Sequence, residues 1–303
     1  MISSNRSNYK LLLNGYLSNL NTDFDSIGLK YPFDKYCQLL AQKTRYSSYR
    51  HMDSKLVNYC HSLVSDYSEE ALELYHRCLL LYLIVHISLD HDFLCYPDRI
   101  EDCFYLEYTR IVNELTTNPS GFYSYKNDLF CKDLAVCTHE MFPMGAFKTE
   151  VSGIPRRIFF TEGIKQFVRL LKLFTKLGKN KPIYEWHFDV RYRADFTPQG
   201  WDDCFRLLAE MLERNPEIIG LTGASWFFDP QIEQISPHLS YLRKRIEDNG
   251  GEFFLFCSND HTTELALSSS NTRRKLYEQG LYKPSSYLVF WPREKLLEWA
   301  RKN

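Results

Sequence analysis

Two patterns of apolar and polar positions divide the chain. From about Phe33 to Leu115 apolar residues recur every three or four positions and the segment is nearly free of glycine. Leu72, Tyr75, Leu79, Leu83 and His86 keep this spacing behind Ser68-Glu69-Glu70, an N-cap hydroxyl followed by first-turn acids, so a helix is expected there. Arg99 to Leu115 resumes the period after a turn at Tyr96-Pro97-Asp98, while Pro32, Pro97 and Pro119 mark edges. Residues 1–125 therefore read as a helical bundle or cap.

Residues 126–303 alternate strand-like and helix-like segments. Leu134 to His139 reads as a strand, with a hairpin partner near Arg157 to Thr161 across a Gly145 to Pro155 connection. A helix is expected from Glu162 to Leu177, ended by Gly178, then a strand from Ile183 to Val190. Thr197-Pro198 supplies an N-cap and first helical residue for a helix reaching Arg214, which Asn215-Pro216 breaks. An apolar strand follows over Ile218 to Phe228, and Ser236-Pro237 opens a helix to Glu247 that Asn249-Gly250-Gly251 closes. Glu252 to Cys257 and Ser286 to Trp291 read as strands on either side of a short helix, Asn271 to Gln279. The order predicts an α/β (α+β) fold with a mixed sheet behind the helical half.

Composition narrows the function classes. In 303 residues, 37 Lys+Arg balance 38 Asp+Glu, so no uniform field draws phosphate backbones and nucleic acid is not an expected partner. The 21 Tyr, 21 Phe and 5 Trp are unusually many, which suits an apolar aromatic-lined cleft as well as a core. The nine cysteines are scattered singly, without the spacing of a zinc site. With no secretory pattern in Met1 to Tyr16, they point to reduced thiols in a cytoplasm. The longest apolar run, Cys78 to Ile87, is too short to span a membrane and reads as a buried helix.

Three stretches carry candidate chemistry, the first together with the helix start that follows it. In Trp186 to Arg193, strand alternation sends His187, Asp189, Arg191 and Arg193 to one face. His187 could serve as general base, Asp189 could orient it, and Arg191 and Arg193 could hold a phosphate or carboxylate; a solvated edge strand is the competing reading. The helix start at Thr197, Gln199 and Gly200 offers backbone amides to an anion, although Asp202 and Asp203 favour ordinary capping. Gly220 to Pro230 passes from small residues to Trp226, Phe227 and Phe228, which could wall a slot for an acyl chain, with Ser225 and Asp229 beside it. Ser225 lacks the Gly-x-Ser-x-Gly setting of a hydrolase nucleophile, and Asp229 before Pro230 suits a turn. Lastly, Arg273, Arg274 and Lys275 open a short helix against its dipole, a place that suits an anionic ligand as well as solvent. In the helical half, His76, His86, Asp90, His91 and Asp92 resemble a carboxylate-histidine set. However, His76 and His86 lie about 280° apart around a helix, so no metal is expected.

The element order from Ile183 to Trp291, together with Arg274-Lys-Leu-Tyr277-Glu-Gln-Gly280-Leu-Tyr, resembles the second half of the GNAT acyltransferase fold. The segment Arg193 to Gly200 stands where that family carries its coenzyme A pyrophosphate cradle and has a different sequence. The resemblance implies acyl transfer from a coenzyme A or acyl carrier protein thioester to an amine on a small molecule or peptide. In that scheme His187 or Asp189 takes the amine proton, backbone amides of the central strand hold the oxyanion, and Tyr277 protonates the leaving thiolate. Thr197, Gln199, Gly200, Arg273 and Arg274 would then face the donor, and Arg191, Arg193, Ser225, Trp226 and Asp229 the substrate. A non-catalytic binding module and a metal-dependent hydrolase or oxygenase using the helical half remain as other readings.

Overall fold

In a computed structural model, residues 11, 15, 27–42, 47–86, 96–177 and 181–303 are described. The chain divides into two compact units, Met1–Pro143 and Met144–Asn303. Among the described residues no helix is long and apolar enough to cross a membrane.

The first unit is helical. It holds α1 (Phe33–Leu40), α2 (Ser54–Asp66), α3 (Glu69–His86), α4 (Asp98–Glu114) and α5 (Asp128–Cys137), ending in a short strand β1 (Met141–Pro143). The Ser68 hydroxyl accepts the Ala71 amide at the start of α3, as its position before two acids implies. From Leu79 to Val85 every residue of α3 except Tyr82 is fully buried, so α3 is the core helix on which α2, α4 and α5 pack. Arg110 of α4 donates to Glu107 at 2.7 Å, to Glu114 at 3.0 Å and to Asp133 of α5 at 2.6 Å, tying the two helices together. Leu134 to His139 is not a strand. The Asn127 side chain accepts the Leu129 and Phe130 amides and starts a helix there, and because this helix is buried on every side from Phe130 to Cys137, its Leu134–Cys137 stretch shows the apolar run of a buried strand.

His76 of α3 is wholly buried. Its Nδ1–H donates to the Tyr123 carbonyl at 2.7 Å, its ring lies on Phe130, and Nε2 has no partner among the described residues. It is a neutral core histidine, and burial pushes its pKa down to about 4 from 6.5. Asp90, His91 and Asp92 lie outside the described residues. Because the folded pKa is below the unfolded one, the unfolded chain binds the extra proton between the two values. The contribution of His76 to stability is therefore full above pH 6.5, falls as the pH drops, and is gone by about pH 4. At about 1.4 kcal/mol per unit this amounts to roughly 3 kcal/mol. Urea melts followed by far-ultraviolet circular dichroism should show that loss in the wild type and not in His76→Phe; equal acid sensitivity in both would assign it elsewhere.

The second unit is built on a mixed sheet. Its strands are β2 (Phe147–Ser152), β3 (Ile183–Phe188), β4 (Gly220–Ser225), β5 (Glu252–Cys257) and β6 (Ser286–Pro292), in the order β2-β3-β4-β6-β5. Only β3 and β4 are parallel, joined through helix α7 (Pro198–Arg214); the other neighbours are antiparallel. The partner of β3 is β2, in the stretch expected to be a connection, and Arg156–Phe160 is a 3-10 turn rather than a strand. Helices α6 (Gly163–Leu177), α8 (Ser240–Glu247), α9 (Asp260–Leu267), α10 (Asn271–Glu278) and α11 (Arg293–Lys302) complete the unit.

The two sheet faces have different cores. On one, Phe147, Trp186 and Trp291 meet Trp201 and Phe205 of α7 and Trp299 of α11 in tilted and edge-to-face contacts, with ring centroids 4.9–5.9 Å apart. Phe227 and Phe228 belong to this cluster and are buried, so the aromatic excess is largely spent on core packing. These two rings are not walls of an open slot. On the other face Ile158, Leu170 and Leu173 pack on Ile183, Phe254, Leu288 and Phe290.

Candidate active site

The parallel pair β3–β4 is laddered only at Tyr184↔Leu221 and Glu185↔Thr222. Beyond those residues the strands part, although β3 stays paired to β2 through Phe188 and β4 to β6 through Ser225. Parting at the carboxyl ends of parallel strands is where α/β sheets commonly bind ligands. Two observations show which face is open. Gly223 turns toward Trp186, and a Cβ there would lie 2.3 Å from the indole Nε1, so that face is filled. Ala224 turns to the other face and is exposed, although its strand is central in the sheet. Continuing that register puts Ala224 level with His187, so both stand on the same sheet face where the strands part.

The floor of the cleft is a row of ionisable groups. In antiparallel register Lys148 lies opposite His187 and Glu150 opposite Glu185. With Glu185 and His187 two residues apart on β3, all four share the face of Ala224. His187 Nε2 donates to Glu150 Oε1 at 2.8 Å, which places the neutral ring's lone pair on Nδ1. Glu150 is 3% exposed, whereas the His187 side chain keeps 19% of its surface in solvent. This is a carboxylate-oriented imidazole at the edge of an accessible cleft, suited to taking a proton.

The alternation expected for Trp186 to Arg193 stops at Phe188. The Asp189 carboxylate accepts the Arg191 amide and caps a 3-10 turn, Val190–Asp195, so the residues after it leave strand geometry. Asp189 does not orient His187. Fully buried, it binds Lys148 Nζ at 3.0 Å and the Arg191 guanidinium at 2.7 Å, and Lys148 also sits 4.6 Å from the Tyr192 ring centre. Arg191 is thereby occupied, while Arg193 is exposed on the turn.

At the start of α7 the cap is satisfied from within. Thr197 Oγ1 accepts the Gly200 amide, Gln199 donates to Asp203, and a Cβ on Gly200 would lie 2.0 Å from the Asp195 carbonyl. Gly200 is thus required by the preceding turn rather than by a ligand. Ser225 closes β4, half-buried and opposite Tyr287. Asp229 accepts the Gln231 and Ser285 amides, and burial raises its carboxyl pKa; its role is a turn.

The structure joins two stretches that are far apart in sequence. Arg273 is 3% exposed and stacks 4.4 Å over Trp226. It donates to the Ala266 carbonyl and the Ser236 and Ser269 hydroxyls, all uncharged, and burial lowers its pKa. Nearby, the Tyr282 hydroxyl is buried without a partner among the described residues. A buried guanidinium that meets no carboxylate among the described residues suits an anionic ligand. Arg274 and Tyr277 face outward on α10, which lies between antiparallel β5 and β6, while α7 and α8 follow the parallel strands. Lys148 and Glu150 escape a reading of the sequence because their stretch reads as a connection and not as β2. Glu185, two residues before His187 on β3, is legible from alternation alone.

No family model and no curated protein matches the chain. Among solved structures it resembles a mutant acyltransferase in complex with octanoyl-CoA, at 12% identity over 93% of this chain and 84% of that one, with a TM-score of 0.55. That likeness is one of fold. An acyltransferase in complex with decanoyl-CoA (12% identity, 85% and 74% coverage, TM-score 0.48) and one with decanoyl-CoA and teicoplanin (14%, 73% and 67%, 0.45) superpose less closely.

Proposed function

We propose that the second unit is a GNAT-type acyltransferase that moves an acyl group from a coenzyme A or carrier-protein thioester to an amine on a small molecule or peptide. The observation that carries this is the open floor at Ala224 beside the His187–Glu150 pair, where the parallel strands part. The shared fold with an acyltransferase in complex with octanoyl-CoA supports it.

In this mechanism the thioester lies between the parted strands. The amine nitrogen attacks the thioester carbonyl as His187 Nδ1 takes its proton, with Glu150 holding the ring and balancing the imidazolium. Main-chain amides beyond the end of the β3–β4 ladder face the oxyanion. Collapse breaks the C–S bond, and the imidazolium returns its proton to the thiolate, which leaves as thiol. Tyr277, 43% exposed on α10, is not needed for that transfer. Arg273, Arg274 and Arg193 supply the positive charge for the donor's phosphates that the capped start of α7 does not.

The test is incubation of the purified protein with acyl-CoA thioesters of increasing chain length and an amine mixture, followed by mass spectrometry and thiol release. Amine-dependent thiol release with an acylated product supports the reading. Stoichiometric donor binding without turnover for any amine would favour the binding module, and no donor binding would overturn both.

A further inference from the structure

Glu150 and Glu185 are directly cross-strand on β2 and β3, and like charges so placed repel. Glu185 has no hydrogen-bond or ion-pair partner among the described residues, and Glu150 is almost fully buried. Their carboxylate oxygens and a ring nitrogen of His187 all lie within 4.8 Å of one another. One imidazole and two carboxylates are the donors of a borderline divalent cation, around which ligand atoms at bond lengths near 2.1 Å stand roughly 3.4 Å apart. Small rotamer changes of two glutamates would close that difference. The neighbouring cation, Lys148, does not oppose binding, because Asp189 and the Tyr192 ring hold and balance it.

We infer that Glu150, Glu185 and His187 form a binding site for a zinc-class divalent cation on the open face of the sheet. The strands fix its geometry: two ligands at i and i+2 on β3 and the third directly across on β2. Ring coordination takes His187 away from proton transfer, so an ion here inhibits any chemistry in which that imidazole is the base. The binding itself does not depend on the acyl-transfer reading.

The experiment uses full-length protein treated with chelator and titrated with Zn²⁺ by calorimetry and with Co²⁺ by visible absorption. One ion per chain is expected. The cobalt spectrum should lack thiolate charge transfer, which separates this site from the cysteines. Glu185→Gln, checked for folding by its thermal melt, is expected to weaken binding at least about tenfold, as is His187→Ala. Absence of one-to-one binding, a thiolate band, or unchanged affinity in Glu185→Gln would overturn the site. Where acyl transfer is measurable, Zn²⁺ should inhibit the wild type at concentrations at least about tenfold lower than those needed to inhibit Glu185→Gln, each read against its own metal-free rate. Metal-insensitive turnover despite confirmed binding would count against His187 as the base and leave the ion site standing.

Discussion

Replacing His187 with alanine is expected to lower the rate of acyl transfer by about 10²- to 10⁴-fold, the usual contribution of a positioned general base. The loss should fall on kcat more than on KM, because the imidazole meets the amine proton and not the donor's phosphates. Glu150→Gln should cost less, since glutamine can still accept from Nε2 but no longer balances an imidazolium. His187 keeps 19% of its side chain in solvent, so the alanine variant's fold is checked by its melt, and a matching melt separates lost chemistry from lost structure. Turnover within a few-fold of wild type would remove His187 from the mechanism and leave the cleft as a binding site.

The largest stability effect is expected at Asp189. Asp189→Ala strands Lys148, 1% exposed, without its counter-ion, and breaking such a buried pair typically costs about 3–5 kcal/mol. The pair need not be stabilising against an apolar replacement. Lys148→Met with Asp189→Leu should therefore recover the part of the loss that comes from Lys148, while Arg191, 13% exposed, loses the carboxylate in both variants. All five tryptophans lie between residues 186 and 299, so fluorescence-detected urea unfolding reads this unit. A single-variant cost below about 1 kcal/mol would mean that water reaches the triad. Activity should fall with stability in Asp189→Ala, because Lys148 stands across from His187 in the sheet and its displacement disturbs the cleft floor.

These residues show where sequence reading succeeds and where it stops. His187 was legible as a candidate base because an imidazole in a strand-like run is chemically conspicuous. Its partner was not. Asp189, two positions on, satisfies the alternation rule, yet an aspartate whose carboxylate can accept the amide two residues ahead favours a turn over continued strand. Glu150 is 37 residues away, on the far side of helix α6 in the chain, and only pairing of β2 with β3 brings it to the ring. The aromatic content likewise suggested a cleft, and tertiary packing put most of it into the core under α7 and α11.

The sequence by itself determined the local devices: the Ser68 and Thr197 caps, the breaks at Asn215-Pro216 and Asn249-Gly250, the helical first unit and the α/β order of the second. Each depends on interactions within a few residues, which composition and spacing encode directly. Tertiary structure alone decided that α5 is a helix, that β2 borders β3, that the parallel strands part beyond Glu185, and that Arg273 lies on Trp226. Those outcomes depend on burial and on pairing between distant segments. A fully buried helix and a fully buried strand carry the same apolar run, and only the neighbours that cover them tell the two apart.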